Sequence, residues 1–409
     1  MTSPTPGHLS PRFPATTADA VQRARELRPM IAEEGATIDA QGKDPASIMK
    51  SLASAGLQAL NVPTVYGGLW HGPGMDGYAE LLEAWMEIAA GDGSVGQLWG
   101  FSSIATRVVL SEAALPDETR AQIAREVLCE GRRVAGQVSE RGADGPTVAR
   151  PTRGGIVLSG TKAFGTNTGA GGRDLALVTH LLVDERGDLG SGRPHKALVR
   201  LDAPGVEAMH DWDNMGQRGT ESQTIHYRDV FVPDGWYYEA PLAEPNFIIA
   251  ALLGNAALLQ GIGDGALAAA VTYLADLDRA GMPMFTSTAT DPIIHRRLGG
   301  MSARLAGSRA LTLAVARRFE GLAKDDDPTE LVIGCLQADV QAADTSVDVC
   351  SEIFELTGAR STANTHRLDR FWRNARTMSS HHNRDALRAI IGYHMMNHKV
   401  PSLADYVKF

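Results

Sequence analysis

The sequence predicts an α+β chain in which a β domain is set between two helical ones. Three observations lead there. Ala79, Leu82, Met86 and Ala89 recur at the spacing of one helix face. Between Val134 and Pro233 the chain breaks into short apolar or β-branched runs separated by turn residues. From Pro245 the helical period returns, and Leu336, Val340, Ala343, Val347, Cys350 and Phe354 step by fours and threes along one stripe. A helical, then strand, then helical order is that of an α+β chain rather than of alternating βα units.

The elements follow in order. Residues 1–17 are rich in Pro, Ser and Thr and lack the apolar stretch of a secretory signal, so they are expected to be disordered. Residues 18–130 form the first helical domain, with Gly91-Asp92-Gly93-Ser94 as a turn able to cap a following helix. Within it, Pro63 to Gly77 is rich in Gly and Pro around Trp70 and His71 and must be a loop. Residues 131–240 form the β domain, whose clearest strands lie at Ile156–Gly160, Leu175–Val183, Ala197–Leu201 and Ile225–Val232. Residues 241–409 form the second helical domain, and Gly358 ends its striped helix. The apolar run from Phe247 to Gly263 is broken by Asn255 and Gln260, which suits a buried core helix better than a membrane span.

Composition narrows the function. The chain has 409 residues, 44% hydrophobic and 21% charged, with a net charge of −9 and no basic block. Nucleic acid and anionic membranes are therefore poor partners. Cys129, Cys335 and Cys350 are far apart and odd in number, so neither a disulfide framework nor a zinc site is expected, and a reducing cytoplasm fits best. There is no Walker sequence and no Gly-x-Ser-x-Gly elbow, which disfavours P-loop and hydrolase chemistry. His394 and His398 are four apart, but no third ligand is evident, so a structural role is expected and no metal.

Five segments occur in a telling order. They are Asp92-Gly93-Ser94-Val95-Gly96-Gln97-Leu98, then Val138-Ser139-Glu140, then Ser159 to Asn167. Trp212 to Ser222 follows with Asp229-Val230-Phe231-Val232-Pro233, and last come Gly358-Ala359-Arg360 and Arg373 to His382. Together they resemble the acyl-CoA dehydrogenase fold over nearly the whole chain from Ala18. The resemblance implies an N-terminal helical domain, a central β-barrel or sandwich and a C-terminal four-helix bundle. Within that fold the chain is most similar to flavin-dependent monooxygenases that take reduced flavin from a separate reductase. That group includes dibenzothiophene monooxygenase, the oxygenase component of para-hydroxyphenylacetate hydroxylase, and the nitrososynthases.

The resemblance carries specific expectations. The dehydrogenases keep a catalytic carboxylate at one of two places. One falls in Met378 to Asn383, where this chain has Ser, His and Asn; the other falls near Gly254, with no acid closer than Glu244 or Asp264. An imidazole there, His381 with His382 beside it, would hydrogen-bond a flavin C4a-hydroperoxide and move a proton near neutral pH. Phe164 and Thr166 would lie along the flavin ring and its N5, Val138 and Ser139 at its pyrimidine edge, and Trp212 near its face. Arg279 would meet a flavin phosphate, and Arg360 would do so from a neighbouring subunit of a homotetramer. Trp99, Ser102 and Ser103, with Phe101, would line the substrate pocket. The implied cofactor is reduced FMN, with FAD as the alternative; the Phe-Gly that often follows Arg279 is missing, which favours FMN. The implied partner is an NAD(P)H:flavin reductase. Two rivals stand beside this reading. One is an acyl-CoA dehydrogenase with Asp264 or Asp369 as a displaced base, the other a scaffold that keeps the fold without catalysis.

Overall fold

Helix boundaries are set by local chemistry. A computed structural model describes residues 13–401, except 73–74, 112–114, 141–144, 170–173, 185, 187, 241–244, 278–281, 283 and 324–325. The first block contains α1 (Thr17–Gln41), α2 (Ala46–Ser54), α3 (Tyr78–Gly91), α4 (Gly93–Ser111) and α5 (Asp117–Glu130). The Thr16 hydroxyl accepts from Asp19 N and starts α1. The Asp92 carboxylate accepts from Ser94 N at 2.9 Å and Val95 N at 3.2 Å and starts α4. Gly72, Gly74 and Gly77 have dinucleotide-loop spacing, but a 3-10 turn at Thr64–Tyr66 precedes them rather than a strand.

The β block forms one mixed sheet. Its strands are β1 (Val134–Gln137), β2 (Val148–Thr152), β3 (Gly155–Gly165), β4 (Leu175–Val183), β5 (Leu189–Arg200), β6 (Val206–Ala208), β7 (Gln223–Pro233) and β8 (Tyr237–Glu239). The order is β6-β7-β3-β2-β4-β5-β8, and β1 lies parallel to β4. The short strands β1, β2, β6 and β8 carry too few apolar residues to stand out in the sequence.

The last block contains α6 (Pro245–Ala275), α7 (Pro292–Glu320), α8 (Thr329–Thr357), α9 (Asp369–Met378) and α10 (Arg384–Asn397). The three long helices pack on one another, and α9 and α10 close against α8. By length and composition α6 could cross a membrane, but 78% of its most apolar window is buried, as befits a core helix. It lies close to α3 because Gly261 and Gly265 have no side chains there. A Cβ on either would sit 2.5 Å from Met86 O or 2.4 Å from Ala90 O. Both helical blocks therefore share one core, with Trp85, Leu258 and Leu305 among its members. A second, smaller core of Ala135, Ile156, Val178, Val199 and Val230 fills the β domain.

The sheet packs Val134, Leu175, Leu177 and Leu198 into that helical core, and a loop adds directional bonds. That loop joins β6 to β7 and touches α1, α4 and α9. Gln217 N donates to Asn374 Oδ1 at 2.7 Å, Gly219 N to Ser94 Oγ at 3.2 Å, and Arg218 Nε to Asp39 O at 2.8 Å. Arg373 bridges Asp39 with two bonds of 2.8 and 2.6 Å and also donates to Met215 O. Asp39 is only 3% exposed, so its charge depends on these partners. Replacing Asp39 by Ala removes both of its bonds to Arg373, leaving that guanidinium only Asp369 and the Met215 carbonyl. We expect a loss of about 3–5 kcal/mol, read as a lower urea midpoint with an unchanged slope.

Candidate functional site

Helix α4 connects the two halves of the site. Gln97 and Phe101 are four residues apart, so they share a face and stand about 6 Å apart along the axis. Gln97 Nε2 donates to Thr166 Oγ1 at 3.0 Å. The Phe101 ring lies 6.1 Å from the His381 ring, centre to centre. Thr166 from the β domain and His381 from the C-terminal block thus meet on one helix.

The β-domain side is built at the end of β3. Its pairing with β7 shifts register between Lys162 and Gly165. Phe164 there has φ +56°, a left-handed conformation that costs an aromatic residue energy, and its ring is 65% exposed. It stands edge-on to Trp212, at 6.4 Å and 86°. Trp212 is itself held by its Nε1, which donates to Gln217 O at 2.9 Å. Val138 and Ser139 lie just past β1 rather than in it. Their carbonyls face inward, accepting from Lys162 Nζ at 3.3 Å and Ala163 N at 3.0 Å. Lys162 is fully buried and pairs with Glu140; burial lowers its pKa, and Glu140 opposes that shift.

Thr166 belongs to a hydroxyl chain. Its Oγ1 lies 2.7 Å from Ser222 Oγ, which lies 2.8 Å from Thr220 Oγ1. Thr220 donates to Gln217 O at 2.8 Å. Each hydroxyl has one proton. With Thr220 donating to the carbonyl, Ser222 must donate to Thr220, and Thr166 to Ser222. Thr166 can donate to a ligand only if this chain reorients.

The opposite wall is the turn between α9 and α10. His381 keeps accessible surface yet is closely hemmed in by protein, as a side chain in a concave wall is. Burial, helped by the neighbouring His382, pushes its pKa down to about 4, with Asp339 pulling the other way. The two rings are 4.7 Å apart at 69°. His382 Nδ1 lies 2.9 Å from Asp339 Oδ2, and Asn255 Nδ2 donates to Asp339 Oδ1 at 2.5 Å.

No free carboxylate was found at this wall among the described residues. Asp339 is engaged by His382 and Asn255. Asp264 accepts from Gln260 at 3.0 Å and Arg309 at 3.2 Å, and Asp369 is held by Arg373 at 2.8 Å. A side chain at Gly254 is excluded, since its Cβ would lie 2.6 Å from the Trp85 indole. Trp85 also stands edge-on behind Phe101, at 5.4 Å.

Other expected residues have different settings. Ser102 Oγ accepts from Val134 N at 2.9 Å, while Ser103 Oγ donates to Trp99 O at 2.7 Å and accepts from Asn61. Both hydroxyls are buried and their bonds lie within the core, whereas Phe101, expected beside them, is only half-buried. Trp99 is buried as well. Arg360 is exposed and forms no ion pair among the described residues. Arg279 and Glu244 lie outside the described residues. His394 pairs with Glu330 at 3.0 Å, a surface contact. Gln97, Ser222, Asn255 and Asp339 were not anticipated. Gln97 and Ser222 lie in two of the quoted segments, Asn255 interrupts the apolar run of α6, and Asp339 lies beside the apolar stripe of α8, but none of these stood out as a site residue.

Comparison with known proteins agrees with this geometry. The acyl-CoA dehydrogenase N-terminal domain family matches residues 18–117 and the C-terminal domain family residues 253–385. A dibenzothiophene monooxygenase of Rhodococcus erythropolis is 30% identical over 98% of both chains. The probable FMNH2-dependent monooxygenase SfnC of Pseudomonas putida is 29% identical over 95% of this chain and 97% of its own. The crystal structure of FMN-bound TdsC from Paenibacillus sp. A11-2 superposes with a TM-score of 0.84 at 25% identity, covering 95% of this chain and 100% of that one. This chain belongs to the flavin-dependent monooxygenases of the acyl-CoA dehydrogenase fold. The monooxygenase's own residues fit a flavin. Val138 and Phe164 leave apolar surface uncovered at 39% and 65% exposure, beside the Thr166 and Ser139 hydroxyls. A planar heteroaromatic ring with a polar edge suits that mixture. Thr166→Val should weaken binding of reduced flavin by roughly tenfold, the worth of one hydrogen bond. Thr166→Ser should stay near wild type. Anaerobic titration reads both.

Proposed function

We propose that this monooxygenase is the oxygenase half of a two-component system. It takes reduced FMN from a separate NAD(P)H:flavin reductase and transfers one atom of dioxygen to a small sulfur heterocycle, aromatic ring or amine. The FMN of one relative's structure, the FMNH2 in another's name and the dibenzothiophene of a third support the cofactor and substrate class. The observation that carries the reading is the His381–His382 pair at the α9–α10 turn, where the adjoining carboxylate, Asp339, is engaged by His382 and Asn255. A dehydrogenase needs a free carboxylate base there.

When bound, reduced flavin supplies two electrons and activates dioxygen. The chain supplies the surroundings. One oxygen atom enters the product and the other leaves as water, which requires two protons. Neutral His381 can accept a proton from substrate or cofactor and return it. Phe101, backed by Trp85, keeps water from that side of the site. Thr166 and Ser139 orient the ring, and Phe164 and Trp212 cover it. Arg360 reaches a phosphate of the neighbouring subunit in a cytoplasmic homotetramer. FAD in place of FMN would call on Arg279.

The test is to supply the protein with a flavin reductase, NADH, FMN and 18O-labelled dioxygen, with dibenzothiophene, a phenol and an aromatic amine as probes. A product carrying one labelled atom is expected. Bleaching of oxidised flavin by acyl-CoA thioesters would instead establish the dehydrogenase. His381→Ala should lower product by roughly 100-fold and raise the hydrogen peroxide released per NADH, with flavin affinity unchanged. The pH dependence has a definite sign. The His381 pKa is depressed in the folded state, so both neutral His381 and its share of stability persist above the unfolded value of about 6.5. Stability should decline as pH falls toward about 4, and His180, likewise lowered to about 4 by burial, adds to that decline. Coupling of NADH to product should hold to about pH 5 and fail as His381 protonates near 4. Stopped assays across that range, with thermal melts alongside, check both.

A further inference from the structure

The His381–His382 pair is anchored from behind by residues that the family reading does not use. Asp339 on α8 is 1% exposed, and Asn255 on α6 is equally buried. Both Asp339 oxygens are occupied, Oδ1 by the Asn255 amide at 2.5 Å and Oδ2 by His382 Nδ1 at 2.9 Å. Two core helices thus converge on one ring nitrogen in the α9–α10 turn. Next in sequence, the Asn383 side chain accepts from Asp385 N and Ala386 N and caps α10, so the turn is pinned on that side too.

We infer that Asp339 is a positioning residue: it fixes the orientation and Nδ1–H tautomer of His382, and through that ring it holds His381 in its place at the flavin wall. This rests on the proposed role of His381. A carboxylate only accepts hydrogen bonds, so the nitrogen facing Asp339 must carry a proton. That leaves Nε2, on the far edge of the ring, as the variable site. The fixed His382 ring stands edge-on to His381 at 4.7 Å, and Phe101 meets His381 from α4 at 6.1 Å. His381 is therefore held between a core aromatic ring and an anchored imidazole.

Two substitutions separate charge from position. Asn255 Oδ1 has no partner. In Asp339→Asn, Asn255 can turn its amide over and accept from the new NH2, leaving the new carbonyl to hold His382 Nδ1–H. Asp339→Ala removes the acceptor altogether. The experiment uses the full chain with 15N-labelled histidine, free of flavin, and assigns His382 by its loss in His382→Gln. Wild type should show a slowly exchanging Nδ1–H proton. Asp339→Asn should keep it, and Asp339→Ala should lose it. In a second measurement each protein is loaded with reduced FMN and mixed with air-saturated buffer without substrate. Peroxide release should be about tenfold faster in Asp339→Ala, nearer wild type in Asp339→Asn, and flavin affinity should be equal in all three. If Asp339→Ala does not fold, Asn255→Leu loosens the same tether and should speed exchange of that proton. A His382 Nδ1–H signal that survives in Asp339→Ala, or in Asn255→Leu exchanges as in wild type, overturns the inference. So does peroxide release equal to wild type. Should wild type bind no reduced FMN, the functional reading fails on its own, and the nitrogen signal still decides what Asp339 does.

Discussion

The Asp39–Arg373 pair and the loop it secures are the constraint on which the site depends. The β domain keeps a small core of its own, while Val134, Leu175, Leu177 and Leu198 on its other side pack into the helical core. The β6–β7 loop adds directional ties to that apolar contact. It is bonded at once to α1, α4 and α9 through Arg218, Gly219 and Gln217, with Arg373 closing over it. Each of these bonds is directional, and a buried carboxylate and guanidinium tolerate no slack. Phe164, Thr166 and Trp212 sit on the β side of that joint and His381 on the helical side. The joint holds the two groups of residues at a fixed distance from each other on either side of α4.

Across the two sides, chemistry is divided by surroundings. On the β side hydroxyls run in a directed chain from Thr166 through Ser222 and Thr220 to a backbone carbonyl. On the helical side an imidazole loses charge because burial penalises the cation. Where the related dehydrogenases would place a carboxylate, the Trp85 indole fills the space against Gly254, and a histidine pair takes the other position.

Periodicity in the sequence was enough to reveal the helix–sheet–helix order, the cap at Asp92 and the stop at Gly358, because these are local matters of spacing and backbone preference. The short strands β1, β2, β6 and β8 were invisible because their identity comes from pairing partners far along the chain. The roles of Ser102 and Ser103 were equally hidden. A serine in a helix reads the same whether it faces a pocket or, as here, accepts from the strand Val134 begins.

What the amino-acid sequence determined by itself is the set of chemical groups: a late His-His in place of a glutamate, an aromatic and a threonine closing β3, and a glycine where a second acid would stand. What only the tertiary structure decided is how those groups are charged and held. The depressed basicity of His381, the direction of the Thr166 hydroxyl and the anchoring of His382 by Asp339 all arise from neighbours dozens to hundreds of residues away. Burial and hydrogen bonding act through space, and no spacing along the chain encodes them.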